Sequence, residues 1–341
     1  MNLIAYTADL SNFHEISHAI GLQMTWHYND IGKFTLNVSA NDYNIAALEQ
    51  NGLLYDIDHD IAFTIQSIKY DAANNRIDVN GYTANWLLNK RAITSKAAMF
   101  NVETSIRQVI TDNLRSLPNI ALGTAQSLAA TSDAVLYGGQ LLDGIMPILD
   151  DAEYGHRLRW DHDYGTFYFE IYQGSDLTSG IHAVTFSEEQ GTAAELIITD
   201  DNSTFKNYFY LPCKLQNDTD IVVTYGSASG GARYEHWIES SQMQDSDETE
   251  TAFRKRMTWE CQAEAAQRLR RQTFSVKIDA SDLGVAYDLG DKIACASARF
   301  GVQFQARITG IKYTLDSSGP ETLLILGEPQ LTALGEMKLY G

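Results

Sequence analysis

At 341 residues the chain is long enough for two or three domains, and a hydrophobic content of 44% is enough to fill real cores. Its 44 acidic against 25 basic side chains leave a net charge of −19, which excludes a general nucleic-acid or anionic-membrane binder. No run reaches the ~20 apolar residues of a membrane-spanning helix, the first residues lack the basic and apolar regions of a signal peptide, and the separated Cys213, Cys261 and Cys295 read as reduced residues of a protein made in a cytoplasm.

The first segment, 1–95, reads as a β-barrel. Leu10 to Ile20 is expected as a short helix ended by Gly21. In GKFTLNVSA, Phe34, Leu36 and Val38 alternate with Thr35, Asn37 and Ser39, the period of a strand with one buried face. Asn41 and Asp42 start a short helix, YNIAALEQ, and two further strands and RIDVNGY follow. ANWLLNKRAI, with Trp86, Leu87 and Arg91, predicts a short helix leaving the barrel.

The second segment, 96–184, has a different texture. Ile106, Val109, Ile110 and Leu114 lie on one helical face, and Leu142, Ile145 and Leu149 on another. HRLRW, a polar turn at Asp161 to Gly165, and TFYFEIY make a hairpin in which Phe167, Phe169 and Ile171 alternate with polar neighbours. Helices followed by a hairpin describe a compact α+β unit.

The third segment, 185–341, opens with strands at AELIITD, NYFYLPCKL and DIVVTYG, and RYEHWIES continues them after a Ser- and Gly-rich loop. A long helix over about 249–272 follows, with Phe253, Met257, Cys261, Ala265 and Leu269 every four residues. Its acidic start, SDETE, and basic end, RLRRQ, suit the helix dipole.

A repeat ties the two ends of the chain together. Tyr55, Asp56, Ile57, Asp60, Ile61 and Ala62 align, with one slip, with Tyr287, Asp288, Leu289, Asp291, Ile293 and Ala294. After an insertion in the second copy, Ile65, Ile68, Lys69 and Tyr70 align with Ile308, Ile311, Lys312 and Tyr313. Each copy continues through a polar turn into another strand. A β-unit repeated at this separation predicts a duplicated barrel with the central segments inserted between the copies. The expected fold class is mainly β with an α+β insertion: two β-barrels and a central α+β domain.

Several residue groups invite a chemical reading. His14-Glu15-Ile16-Ser17-His18 spells H-E-x-x-H, which on a helix lets two His share one Zn²⁺ while the Glu activates water. The helix available is short, and the following run with Trp26, His27 and Tyr28 is β-rich and supplies no third ligand at a zinc-protease spacing. The acidic groups at Asp56, Asp58 and Asp60, at Asp200 and Asp201, at Asp218 and Asp220, and at Asp245, Asp247 and Glu248 lack the pattern of a calcium loop and read as solvated turns. Because Asp56 and Asp60 recur as Asp288 and Asp291, they point to turn geometry at a barrel corner. His156, Arg157 and Arg159 with Asp161 and His162 read as a salt-bridged strand face rather than an anion site, and the Arg254, Lys255, Arg256 and Arg268, Arg270, Arg271 groups as a solvated helix face. The Gly138-Gly139 and Gly230-Gly231 pairs lack the context of a phosphate loop, and no Ser or Cys sits in a nucleophile elbow.

Four passages are similar to the baseplate or tail-tip hub proteins of tailed bacteriophages, closest to the siphophage hubs. These are IDVNGYTANWLLNKRAI with Arg91, Ala92 and Ile93; FKNYFYLPCKL; GGARYEHWIESSQM with Gly231, Arg233 and Glu235; and AQRLRRQTFSVKIDASDLGVAYDLGDKIACA with Leu289, Gly290 and Asp291. The resemblance implies a structural protein with two tube-like barrels per subunit. It implies a homotrimer whose pseudo-sixfold ring adapts a sixfold tail tube to a threefold tip. It further implies a virion tail-tip or baseplate location after synthesis in a bacterial host cytoplasm. The expected partners are the distal tail or tube protein, the tape-measure protein, and tip or receptor-binding proteins, with DNA passing through the channel without specific binding. No catalytic, metal or cofactor residues are expected, nor an attached lytic domain. The competing readings are a cell-wall hydrolase or zinc peptidase using His14, Glu15 and His18, and a carbohydrate-binding module using the many Tyr and Trp.

Overall fold

The computed structural model describes residues 2–17, 19–117, 119–239, 242–268, 271–278, 282–299, 301–327 and 330–331. The chain divides into two compact units, 1–197 together with 274–341, and 198–273. This partition is drawn along different lines from the three sequence segments, because the ends of the chain meet in one sheet.

That sheet carries fourteen strands among the described residues and curls into a half-barrel. Its main path runs Glu195–Asp201, Arg271–Ile278, Gly319–Leu326, Val302–Asp316, Ala19–His27, Lys33–Ser39, Arg76–Thr83, Ile61–Asp71, Leu53–Asp56, Leu3–Tyr6 and Phe13–Glu15. The same run of four strands occurs in it twice. In the first run, Ala19–His27, Lys33–Ser39, Arg76–Thr83 and Ile61–Asp71 lie side by side; in the second, Glu195–Asp201, Arg271–Ile278, Gly319–Leu326 and Val302–Asp316 take the same order.

The register repeats as well. Phe34 faces Gly81, Leu36 faces Val79 and Val38 faces Ile77, while Phe274 faces Leu326, Val276 faces Leu324 and Ile278 faces Thr322. Ile68 faces Val79 as Ile311 faces Leu324, and Tyr70 faces Ile77 as Tyr313 faces Thr322. A bulge interrupts the first hairpin between Ile65 and Ser67 and the second between Ile308 and Gly310, the aligned positions. One extra residue at a fixed place bends both strands alike and supplies curvature to the sheet. The repeat read from the sequence is thus a repeat of strand order, register and bulge. The insertion in its second copy is a hairpin, because Lys292–Ser297 folds back on the first half of Val302–Asp316.

The two runs meet edge to edge. Ala19–His27 pairs antiparallel with Val302–Asp316, from His27 opposite Gly310 to Leu22 opposite Leu315. The short turn joining the first two strands of the first run is replaced, in the second run, by the whole of residues 202–270.

Leu10 to Ile20 corrects an expectation. It is not helical: Phe13–Glu15 pairs with Leu3–Tyr6, Ile16 N donates to Leu3 O at 2.9 Å, and Ala19–His27 is a strand. Leu10, Ser11, Asn12 and Ser17 give their backbone donors to turn and side-chain acceptors and Ile16 gives its own to the neighbouring strand, so none of them is left for a helical ladder. The short helix expected in ANWLLNKRAI is present, as the 3₁₀-helix Ala84–Lys90.

The helices Val102–Asn113 and Leu141–Asp151 form as their apolar spacing predicts, and Asn101 caps the first by accepting from Thr104 N. The hairpin Gly155–Asp161 with Thr166–Tyr172 buries Phe167, Phe169 and Ile171. Ile106, Ile110, Leu142, Ile145 and Leu149 join these rings in one core that also takes in Tyr6, Leu53 and Ile93. The α+β segment therefore shares a core with the N-terminal strands.

The second unit sets Asp220–Tyr225, Tyr208–Lys214 and Glu235–Trp237 beside one another, with Gln242–Met243 on the far half of Tyr208–Lys214. The helix Glu250–Ala266 covers them. Phe253, Met257 and Cys261 interlock with Phe209, Leu211, Cys213 and Val223, and Ala265 packs at the margin. The helix is shorter than expected: Arg271 already begins a strand, and Leu269 and Arg270 lie outside the described residues.

Gly81 shows how tightly the first run is packed. A Cβ there would lie 1.9 Å from the Thr64 carbonyl oxygen, whereas one on Gly231 would meet nothing within 4 Å. Gly81→Ala is expected to cost about 1–3 kcal/mol by overpacking, and Gly231→Ala to change little. Urea unfolding midpoints of the two variants check this; equal midpoints would contradict the packing described.

Candidate functional site

Tyr28, at the end of the seam between the two runs, bonds through its amide, its carbonyl and its hydroxyl. Its amide donates to Thr309 O at 2.9 Å, and its carbonyl accepts from His156 N at 2.9 Å. Its hydroxyl lies 3.0 Å from Glu153 O and 3.2 Å from Tyr172 O, and accepts from Gly174 N at 3.3 Å. Burial pushes the phenol pKa up, so the ring stays neutral. Two glycines make room for it: a Cβ on Gly155 or on Gly290 would fall 2.3 Å from Tyr28 Cε2. Gly290 has φ +98°, which glycine alone adopts readily.

Charged groups close over the same ring. The Arg307 guanidinium sits 5.2 Å from its centroid and donates to Gly290 O at 2.6 Å and to Glu153 Oε2 at 2.6 Å. Lys292 Nζ reaches the same carboxylate at 3.0 Å. The hydrogen bonds from Lys292 and Arg307 hold the Glu153 carboxyl below its usual range. One residue from each of the three sequence segments therefore meets here: Tyr28, Glu153 and Arg307.

The repeated aspartates organise turns. Asp56 is fully buried; it accepts from Asp58 N at 3.1 Å and meets His59 Nδ1 at 2.6 Å. Tyr55 donates to Asp60 Oδ1 at 2.7 Å, and Asp60 holds φ +53°. In the second copy Asp291 accepts from Asp288 N at 2.8 Å and from Ser175 N at 2.7 Å. Asp56 and Asp291 satisfy backbone donors at a turn, and Asp60 takes the Tyr55 hydroxyl at its own. His59 fills the seam, with its ring centroid 4.8 Å from Tyr313 and 5.5 Å from Trp26.

Beside this corner lies a cavity of about 430 Å³ whose lining includes His59, Asp60, Asn85, His156, Arg159 and Asp288. Its two arginines are held by groups behind the wall, while His156 Nε2 is buried without a hydrogen-bond partner. Arg157 and Arg159 donate to Glu170 at 2.7 and 3.1 Å and lie 5.3 Å over Tyr172 and Tyr168 respectively. This is the salt-bridged strand face expected from the sequence. Burial pushes the Asp288 carboxyl up, and it pushes His156 down to about 4, so His156 is neutral at physiological pH. The arrangement joins segments of the first unit.

The H-E-x-x-H residues do not form a helical pair. His14 and Glu15 lie on the strand Phe13–Glu15, with His14 against the Tyr43 ring at 5.9 Å, and His18 lies outside the described residues. His14 and Glu15 thus sit on a strand and not on the helix that would stack i against i+4 one turn away. In the second unit the helix arginines pair locally, Arg254 with Glu250 and Arg268 with Glu264, both at i, i+4. Tyr28 and Glu153 carried no signal as sequence. Gly290 did, as the centre of the Leu-Gly-Asp turn.

His156 sets a pH dependence. Its folded pKa of about 4 lies below the ordinary histidine value, so its contribution is complete above about pH 6.5 and is lost as pH falls through 4. The loss reaches roughly 3 kcal/mol. Melting temperature should therefore drop between pH 6.5 and 4, and His156→Leu should flatten that part of the profile. An unchanged slope in the variant would rule His156 out as its source.

The fold has solved counterparts. A tail protein from Neisseria meningitidis MC58 superposes with a TM-score of 0.56 at 13% identity, covering 96% of each chain. The prophage tail protein gp18 from Listeria monocytogenes EGD-e gives 0.52 at 14% identity over the full length of both chains. The 43 kDa tail protein of prophage MuSo2 from Shewanella oneidensis gives 0.56 at 10% identity, covering 96% of this chain and 98% of that one. At these identities the likeness is one of fold. No curated protein matches in sequence. The family model of the siphovirus ReqiPepy6 Gp37-like protein matches residues 3–328, nearly the whole chain, and this chain belongs to that family.

Proposed function

We propose that this chain is a structural component of a siphophage tail and, within it, the hub of the tail tip. Three copies would form a ring in which the two runs of each subunit give six similar units. Such a ring matches a sixfold tube on one face and a threefold tip on the other. The observation that carries this reading is the duplication of strand order, register and bulge within one sheet. Each run would complete one tube-like barrel unit by pairing around the ring. The tail-protein fold and the family support the setting.

In that setting the hub sits in the virion, between the distal tail or tube protein above and tip or receptor-binding proteins below, with the tape-measure protein as a further partner. Each subunit brings a charge of −19. Acidic surface facing the channel would repel DNA and let it pass without sticking. No catalytic step belongs to this role.

Sedimentation and negative-stain images of the purified chain, alone and with the adjoining tail-ring protein, test the reading. A ring of three chain masses is expected; one hub copy per ring would contradict it. The competing zinc-peptidase reading makes the opposite forecast for Glu15. Glu15→Gln should leave ring assembly and particle infectivity unchanged, because no water is being activated. Stoichiometric zinc in protein purified without added metal, lost in His18→Ala, would reverse that conclusion.

A further inference from the structure

The small sheet of the second unit has two unlike faces. Phe209, Leu211 and Cys213 join the helix Glu250–Ala266 in one core. The alternate residues Tyr208 and Tyr210 stand on the opposite face. Trp237 and Thr224 lie directly across from Tyr210 on the two neighbouring strands, and Glu235 lies across from Tyr208. Trp237 is 54% exposed, and Thr224 and Glu235 are exposed beside it.

Three rings run along this face. The centroids of Tyr208 and Tyr210 are 5.3 Å apart, and those of Tyr210 and Trp237 are 6.2 Å apart with the planes tilted by 32°. A polar group is set against them. The Arg233 guanidinium stacks 3.4 Å over the Tyr208 ring, donates through Nη2 to Tyr210 Oη at 2.5 Å, and brings Nε to 3.0 Å from Glu235 Oε1. Tyr210 Oη donates to that same oxygen at 3.0 Å. The carboxylate is thereby fixed through Oε1, and Oε2 of this half-exposed side chain keeps its capacity to accept.

An exposed aromatic row beside an ordered carboxylate selects among ligands. The cores of protein interfaces are depleted of carboxylates, whereas Glu235 lies across from Tyr208 and two residues from Trp237. A nucleobase also stacks on aromatic rings, but its phosphates are repelled by a chain of charge −19. A pyranose satisfies both halves of the face. Its C–H groups carry the small positive charge that the negative face of an aromatic ring attracts, and its hydroxyls donate to a carboxylate and exchange hydrogen bonds with a threonine. We propose that this face binds a pyranose glycan, with a sugar ring on Trp237 and its hydroxyls on Glu235 and Thr224. In the setting of a phage tail the source is a bacterial surface polysaccharide. The site lies within one unit and needs no ring of subunits, so it stands or falls apart from the hub reading.

Binding of the purified full chain to an array of bacterial surface polysaccharides tests this, with melting temperatures read alongside. The native chain is expected to bind at least one polysaccharide of the array. Trp237→Ala is expected to weaken that binding about tenfold, and Trp237→Tyr to keep most of it. Glu235→Ala, which leaves the rings in place, should weaken it through the polar arm. Trp259→Ala, at a similarly exposed tryptophan on the helix Glu250–Ala266, should bind as the native chain does. Trp237 is exposed, so its variants are expected to melt with the native chain. Failure to bind any polysaccharide of the array would overturn the site, as would full binding by both Trp237→Ala and Glu235→Ala. Self-association that Trp237→Ala abolishes, with no polysaccharide bound, would assign the face to a protein contact and overturn it too. A chain that forms no ring of three would refute the hub and leave polysaccharide binding by the single chain intact.

Discussion

The first unit depends on the seating of Tyr28. Its ring occupies space that two glycines leave open, and its backbone and hydroxyl bond to groups from both of the other stretches of the sequence. A buried tyrosine is favourable only when its hydroxyl finds partners, and here the partners are backbone groups of the α+β segment. The Arg307 and Lys292 contacts to Glu153 then lie over an already ordered ring. Such a joint fixes where the α+β segment meets the sheet, because any slip would strand a buried hydroxyl and several backbone groups at once.

The sheet solves a different problem. A four-stranded run with one apolar face leaves two open edges. Duplicating the run and joining the copies edge to edge closes one of those edges within the chain, and the shared bulge gives both copies the same bend. The chain thereby contains one complete example of how its units meet. Where a subunit carries two equivalent units, a ring of such subunits has twice the rotational order in its sheet that it has in its chains. The inserted unit leaves this geometry undisturbed because it is placed in a strand-to-strand turn, where added chain costs little.

The second unit has a core of its own. Phe253, Met257 and Cys261 seat one helix on a small sheet whose Cys213 and Cys261 thiols are both pushed up in pKa by burial. They behave as small apolar residues rather than as nucleophiles.

The sequence alone determined the elements whose signal is local or repeated. The alternation of Phe34, Leu36 and Val38, the helical faces at Ile106 and Leu142, and the hairpin around Gly165 all appear where the periodicity placed them. The matched Ile-x-x-Ile-Lys-Tyr passages pointed to the duplication, which the sheet carries as a repeat of strand order and register. The stretch around His14 reads as a short helix ended by Gly21, and pairing with Leu3–Tyr6 makes Phe13–Glu15 a strand instead. Tertiary structure decided the rest. It joined the two runs into one sheet, brought Tyr28, Glu153 and Arg307 together, and left Tyr70 exposed where Tyr313 is covered. These outcomes depend on which edges meet and on backbone groups, which every residue carries alike, so side-chain identity along the chain does not encode them in any readable pattern.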